Sequence, residues 1–185
     1  VYLFIDNGDA KIKDGSKIWN ASTFDTDTII KEMEGDPDIE VASIGPAGEN
    51  LVRYASIVCN RKRAAARTGL GAVMGSKNLK AVAVRGDGSI SVADPEKFMQ
   101  LVDEKLRIIT NDGELKMFEK LGTMGLIKLS HGFADDCLRN FQGGSFNVDE
   151  ISGEQMLESY HVRYLSCFNC PIHCYQYLKI AEGIW

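Results

Sequence analysis

Short apolar runs punctuated by turn residues fill the first half of the chain, and longer helical periods fill the second. Residues 1–6 (Val-Tyr-Leu-Phe-Ile-Asp) are followed by Asn7-Gly8-Asp9, and residues 10–13 resume an extended pattern, which predicts a β-hairpin. Residues 26–34 predict a short helix capped by Asp25 or Thr26 and stopped by Gly35. Asp36-Pro37-Asp38 reads as a turn and residues 41–44 as a strand. The run Gly45-Pro46-Ala47-Gly48-Glu49-Asn50 predicts a loop, and residues 51–58 an extended segment ending at Cys59. Residues 80–85 predict a strand with Ala81-Val82-Ala83-Val84 as a buried run. After Gly88 the period changes. Asp94-Pro95-Glu96 opens a helix whose stripe of Phe98, Leu101, Val102 and Ile109 predicts a core face. A second helix is expected over 114–130, weakened in its middle by Gly122 and Gly125. A third is expected from Ser152-Gly153-Glu154 to about Tyr160, with Arg163 leading on into a cysteine-rich loop. The fold class is therefore α+β: residues 1–88 rich in strands, residues 89–185 mainly helical.

Composition narrows the function. The 185 residues are 44% apolar and 25% charged, an ordinary globular balance. A net charge of −5 with no basic face argues against nucleic acid as a partner. No apolar run approaches the roughly 18 residues of a membrane span. The chain opens on an apolar run at Val1 and stops at Trp185 soon after its cysteines, so a fragment of a longer protein is expected, inactive by itself. Five cysteines, three of them in one loop, argue against a disulfide framework and for a reducing, cytoplasmic setting. Trp19 and Cys59 read as packing residues, and His131 as a helix-end cation.

Two stretches carry chemistry. Arg61, Lys62, Arg63 and Arg67 place four cations within seven residues around Ala64-Ala65-Ala66 and ahead of Gly69 and Gly71. Arginine offers planar paired donors suited to phosphate, and small residues let backbone N–H groups approach a ligand. The same pattern also describes a solvated cationic turn. The following Gly71-Ala72-Val73-Met74-Gly75-Ser76-Lys77 matches neither a dinucleotide fingerprint nor a phosphate-binding P-loop. The second stretch is Cys167, Cys170 and Cys174 at C-x2-C-x3-C spacing, with Pro171 stiffening the loop. Spacing of this kind suits three ligands of a four-iron cluster, and it also suits zinc. Cys137 stands alone in a polar stretch and is a weaker thiolate candidate. No pair of carboxylates and no Ser/His/Asp set follows from spacing.

Residues 44–80, with Ile44-Gly45-Pro46-Ala47-Gly48-Glu49-Asn50-Leu51-Val52, Arg63-Ala64-Ala65-Ala66-Arg67 and Gly69-Leu70-Gly71 through Leu79-Lys80-Ala81, resemble the aldehyde ferredoxin oxidoreductase family. Asn140-Phe141-Gln142, Ser152-Gly153-Glu154 and the three cysteines continue the likeness in the family's order. The resemblance implies a tungsten, sometimes molybdenum, enzyme with a bis-pterin cofactor. Residues 1–88 would be the second half of a strand-rich, pterin-binding base domain, and 89–185 the start of a helical domain carrying a [4Fe-4S] cluster. It implies pterin contacts at Arg63, Ala64, Ala66 and Arg67, and cluster ligands at Cys167, Cys170 and Cys174, with the fourth cysteine beyond Trp185. Ala66 stands where many relatives have glycine. The implied reaction oxidises an aldehyde to a carboxylic acid and passes electrons through the cluster to ferredoxin. A small aldehyde is the expected substrate, and homodimerisation is left open. The alternatives are a tungstopterin subunit of an aromatic-ring thioester reductase, or a zinc-stabilised interaction module. No proton-transfer residue is implied within the chain.

Overall fold

The computed structural model describes residues 1–133, 140–142 and 147–180, so Cys137 lies outside the described residues. The chain divides into two compact units, Val1–Ser91 and Val92–Trp185. Together they contain a mixed α+β set of elements.

In the first unit six strands form one sheet: β1 (Tyr2–Asp6), β2 (Asp9–Lys13), β3 (Glu40–Ser43), β4 (Ile57–Cys59), β5 (Arg63–Ala65) and β6 (Ala81–Arg85). Their order is β2-β1-β6-β3-β4-β5, with β1 and β6 parallel and every other neighbour antiparallel. The β1–β2 turn uses two left-handed residues, Asn7 (φ 47°) and Gly8 (φ 93°), the twist that suits a tight hairpin. Register brings Tyr2 beside Ala81, Phe4 beside Ala83, and Val41 and Ser43 beside the same two alanines. All six are buried on one face, with Ile18, Ile30 and Ile39 completing the core. Each fully buried isoleucine contributes about 1.5–3 kcal/mol. The segment expected as a continuously buried run on β6 instead alternates. Ala81 and Ala83 face the core, whereas Val84 is exposed, because a strand turns successive side chains to opposite faces. Trp19 is half-buried, and its neighbour Ile18 is the core residue.

Helix α1 (Thr23–Glu34) starts three residues before the sequence pattern indicates. Its cap is Ser22, whose hydroxyl oxygen accepts from the Asp25 N–H, while Gly35 (φ 68°) stops it in the left-handed conformation. The expected loop at 45–50 winds into a short helix, α2 (Pro46–Glu49), since proline fits the first helical turn. Residues 51–58 are extended only over β4. The Gly-rich segment after Gly69 forms α3 (Leu70–Ser76). Its glycines permit contact rather than flexibility: a Cβ on Gly75 would lie 1.9 Å from the Gly48 carbonyl oxygen. Below them Lys80 and Glu49 form an ion pair with both side chains at most 2% exposed. The Lys80 ammonium also donates to the Ala21 carbonyl, and the Glu49 carboxylate accepts the Asn20 N–H, so neither charge is left unsatisfied.

The second unit has α4 (Pro95–Asn111), α5 (Gly113–Leu121), α6 (Leu126–Gly132), α7 (Gly153–Tyr160) and an antiparallel pair, β7 (His161–Leu165) and β8 (Tyr175–Leu178). Asp94, Asp112 and Ser152 cap α4, α5 and α7 with side-chain oxygens. The expected 114–130 helix breaks in two. Gly122 takes φ 63° and ψ −162°, a region essentially reserved for glycine, and a 3-10 turn leads on to α6. The α4 stripe is not core in this chain: Phe98 is 50% and Leu101 46% exposed, and no α4 residue is buried.

Candidate functional site

The Arg-Ala-Ala-Ala-Arg segment forms the outer edge of the six-stranded sheet. β5 is only three residues long and pairs with β4 through Ile57–Ala65, Val58–Ala64 and Cys59–Arg63. Residues 61–68 are all exposed, so the alanines leave the edge backbone uncovered and both arginines stand at its ends. An edge strand offers a row of N–H and C=O groups to whatever lies against it. Beyond Ala66 the chain takes two left-handed residues in succession, Thr68 (φ 70°) and Gly69 (φ 72°). Gly69 is forced: a Cβ there would sit 2.0 Å from the Arg53 carbonyl oxygen. The ribbon thus ends on a rigid corner seated against residues 53–56. Its exposed cations, small side chains and accessible backbone fit an extended anionic group such as a pterin phosphate. They provide no buried polar pocket by themselves.

The four cations are not equivalent. Arg61 donates through Nε to Asp27 Oδ2 at 2.8 Å and through Nη2 to the Thr28 hydroxyl. Its guanidinium is thereby tied to α1. Sequence reasoning missed this partner, because an acid in the first turns of a helix usually reads as a solvated dipole partner.

Cys167, Cys170 and Cys174 occupy one loop closed by the Leu165–Tyr175 pairing of β7 and β8. Cys167 is exposed, Cys170 and Cys174 are half-buried, and all three thiols are free, as is Cys59. The Cys170 N–H donates to the Cys167 carbonyl at 3.1 Å, closing a tight turn. Asn169 and His173, each immediately before a cysteine, are left-handed (φ 52° at both). The C-terminal end of α5 supports this loop. Gln176 Nε2 donates to the Lys120 carbonyl at 2.8 Å, and a Cβ on Gly122 would lie 2.7 Å from the Cys174 carbonyl oxygen. Soft thiol donors at this spacing fit an iron–sulfur cluster in type. Among the described residues no group of three or more His, Cys, Asp or Glu side chains is arranged to hold a single metal ion. The β7–β8 hairpin that closes the loop left no clear signal in the sequence, since His161–Leu165 shows no clean alternation. Among the described residues no helix is long and apolar enough to cross a membrane.

Known proteins resemble this chain along most of its length. The family model for the aldehyde ferredoxin oxidoreductase N-terminal domain matches residues 1–86, and the model for domains 2 and 3 of the same enzymes matches residues 100–185. The tungsten-containing aldehyde ferredoxin oxidoreductase of Pyrococcus horikoshii is 45% identical over 94% of this chain and 29% of its own length. That of Thermococcus kodakarensis is 42% identical over 100% of this chain and 33% of its own length. A WOR-like subunit of an aliphatic sulfonate oxidoreductase from Pyrococcus furiosus is 33% identical, over 99% of this chain and 31% of its own. Among solved structures, the active-site complex BamBC of benzoyl coenzyme A reductase, with 1,5-dienoyl-CoA, superposes with a TM-score of 0.78 at 34% identity. It covers 99% of this chain and 30% of that one. The chain thus spans about a third or less of the curated relatives it matches. With an N-terminal-domain match up to residue 86 and a match to the next domains from residue 100, it belongs to the aldehyde ferredoxin oxidoreductase family.

Proposed function

We propose that this chain is the part of a tungsten or molybdenum bis-pterin oxidoreductase that bears one pterin-contacting ribbon and three ligands of a [4Fe-4S] cluster. The observation that carries the reading is the presence, in one chain, of an exposed Arg-Ala-Ala-Ala-Arg sheet edge and a hairpin-closed loop of three free thiols. Arg63 and Arg67 hold the pterin phosphate, and Ala64 and Ala66 let it approach the edge backbone. Cys167, Cys170 and Cys174 hold the cluster, with a fourth cysteine in sequence outside this chain. The bound metal–pterin group supplies the redox chemistry, in which an aldehyde and water become a carboxylic acid with release of two electrons and two protons. The residues here orient that group and hold the cluster through which the electrons leave singly, to ferredoxin. Free thiols on an open loop fit a reducing, cytoplasmic setting.

A second reading shares the cofactors and changes the substrate. The BamBC likeness favours reduction of an aromatic-ring thioester. Assaying the holoenzyme with small aldehydes and a viologen acceptor separates the two. Aldehyde-dependent viologen reduction supports the first reading. No turnover of aldehydes, together with activity on an aromatic coenzyme A thioester, overturns it in favour of the second.

A further inference from the structure

Two residues before Arg63, the β4–β5 hairpin turns through two successive left-handed residues, Asn60 (φ 48°) and Arg61 (φ 60°). Asparagine tolerates this conformation, but arginine rarely adopts it, so the turn needs holding from outside. The holding contacts are specific. Asn60 Oδ1 accepts the Val41 N–H at 2.8 Å, and its amide donates to the Glu40 carboxylate, which fixes the turn to β3. Arg61 reaches the other way, to Asp27 and Thr28 on α1. Asp27 is 3% exposed and sits in a helix packed beneath the sheet, whereas Arg61 remains partly exposed. Lys31 lies 3.5 Å from the second Asp27 oxygen, and that oxygen accepts no hydrogen bond. A buried carboxylate on a core helix therefore grips the tip of a three-residue edge strand that has little pairing of its own.

We infer that Asp27 is a positioning residue for the pterin-binding ribbon, acting through Arg61. The inference rests on the functional reading above and goes beyond it by removing Arg61 from the ligand-facing cations and naming the device that sets the ribbon's height. With its guanidinium engaged by Asp27 and Thr28, Arg61 steers Arg63 and the alanines rather than touching the phosphate itself. Lys31 and Arg61 are the charged groups that face the Asp27 carboxylate.

The test uses the holoenzyme carrying Asp27→Asn, Arg61→Gln, both together, or Arg61→Lys. Retained tungsten or molybdenum, pterin and iron are followed during prolonged anaerobic dialysis of the folded, gel-filtered fraction. Asp27→Asn and Arg61→Gln are each expected to release pterin about tenfold faster than wild type, the scale of losing an outer-shell orienting contact. The double variant should be no faster than either single, because the two residues act as one unit. Arg61→Lys, which keeps the charge and loses the fork to Thr28, should fall between. Iron content should stay at the wild-type level throughout. Wild-type release rates in both single variants would overturn the inference. So would additive losses in the double variant, or loss of iron in step with pterin, which would mark general unfolding. A wild-type holoenzyme without any pterin would instead sink the functional reading, and this inference with it.

Discussion

Tyr2 and Glu34 show how much a single buried contact decides in the first unit. The Tyr2 hydroxyl donates to Glu34 Oε1 at 2.5 Å, and Lys13 Nζ lies 2.7 Å from Oε2. Burial pushes the Tyr2 phenol upward, and the adjoining carboxylate pushes it further, so it stays protonated and donating. Burial also pushes the Glu34 carboxyl upward, but hydrogen bonds from Lys13 and Tyr2 outweigh it and hold the group below the usual carboxylate range. A carboxyl with a depressed folded value contributes stability that is present above the unfolded value and lost as pH falls through the folded one. Glu34→Gln should therefore cost about 1–2 kcal/mol at neutral pH, and the gap to wild type should narrow as pH falls below the ordinary carboxylate value and close once it is below the folded one. Chemical denaturation midpoints followed from neutral pH into the acid range check this, and a gap that never narrows would contradict it. None of these partners was legible in the sequence, because Tyr2 and Glu34 are 32 residues apart and meet only through the sheet. The same holds for Lys80 with Glu49 and for Arg61 with Asp27. Spacing locates groups that act within one turn or loop. It is silent on pairs that a fold brings together.

At the scale of elements, glycines explain two of the differences between expectation and structure, the helix at 46–49 and the break after α5. Gly45 to Gly48 reads as a loop by composition, yet α2 forms there, and glycines let it touch α3. Gly122 acts in the opposite sense, since its backbone angles end α5 where amphipathic spacing alone continues the helix. That break matters for the cysteine loop. The turn at Gly122 lies against the Cys174 carbonyl, so Gly122→Ala forces a clash as well as a conformation alanine avoids. With Cys174 as a cluster ligand, as proposed above, the expected outcome is its displacement. The purified holoenzyme should then show a diminished or altered cluster EPR signal and lost iron, with pterin content unchanged. Wild-type iron and EPR in this variant would show that the loop does not depend on its α5 support. The helix starts at Asp94 and Ser152 were legible because caps act locally, whereas the Ser22 cap was obscured by the acids just after it.

Across the whole molecule, the two units each carry one of the two chemical stretches that the sequence had singled out: the cationic ribbon within Val1–Ser91 and the thiol loop within Val92–Trp185. Short-range motifs are legible because their chemistry is written in adjacent residues. The exposed stripe on α4 shows the limit of the same reasoning: periodicity identified an apolar face, but only neighbouring chain decides whether that face is covered. The central claim, that this chain contributes to both a metal–pterin site and an iron–sulfur cluster, is tested most directly by elemental analysis of the holoenzyme purified without oxygen. Tungsten or molybdenum together with about four irons for each set of cluster cysteines is the expected result. Zinc bound to the cysteine loop, with neither tungsten nor molybdenum present, would contradict it.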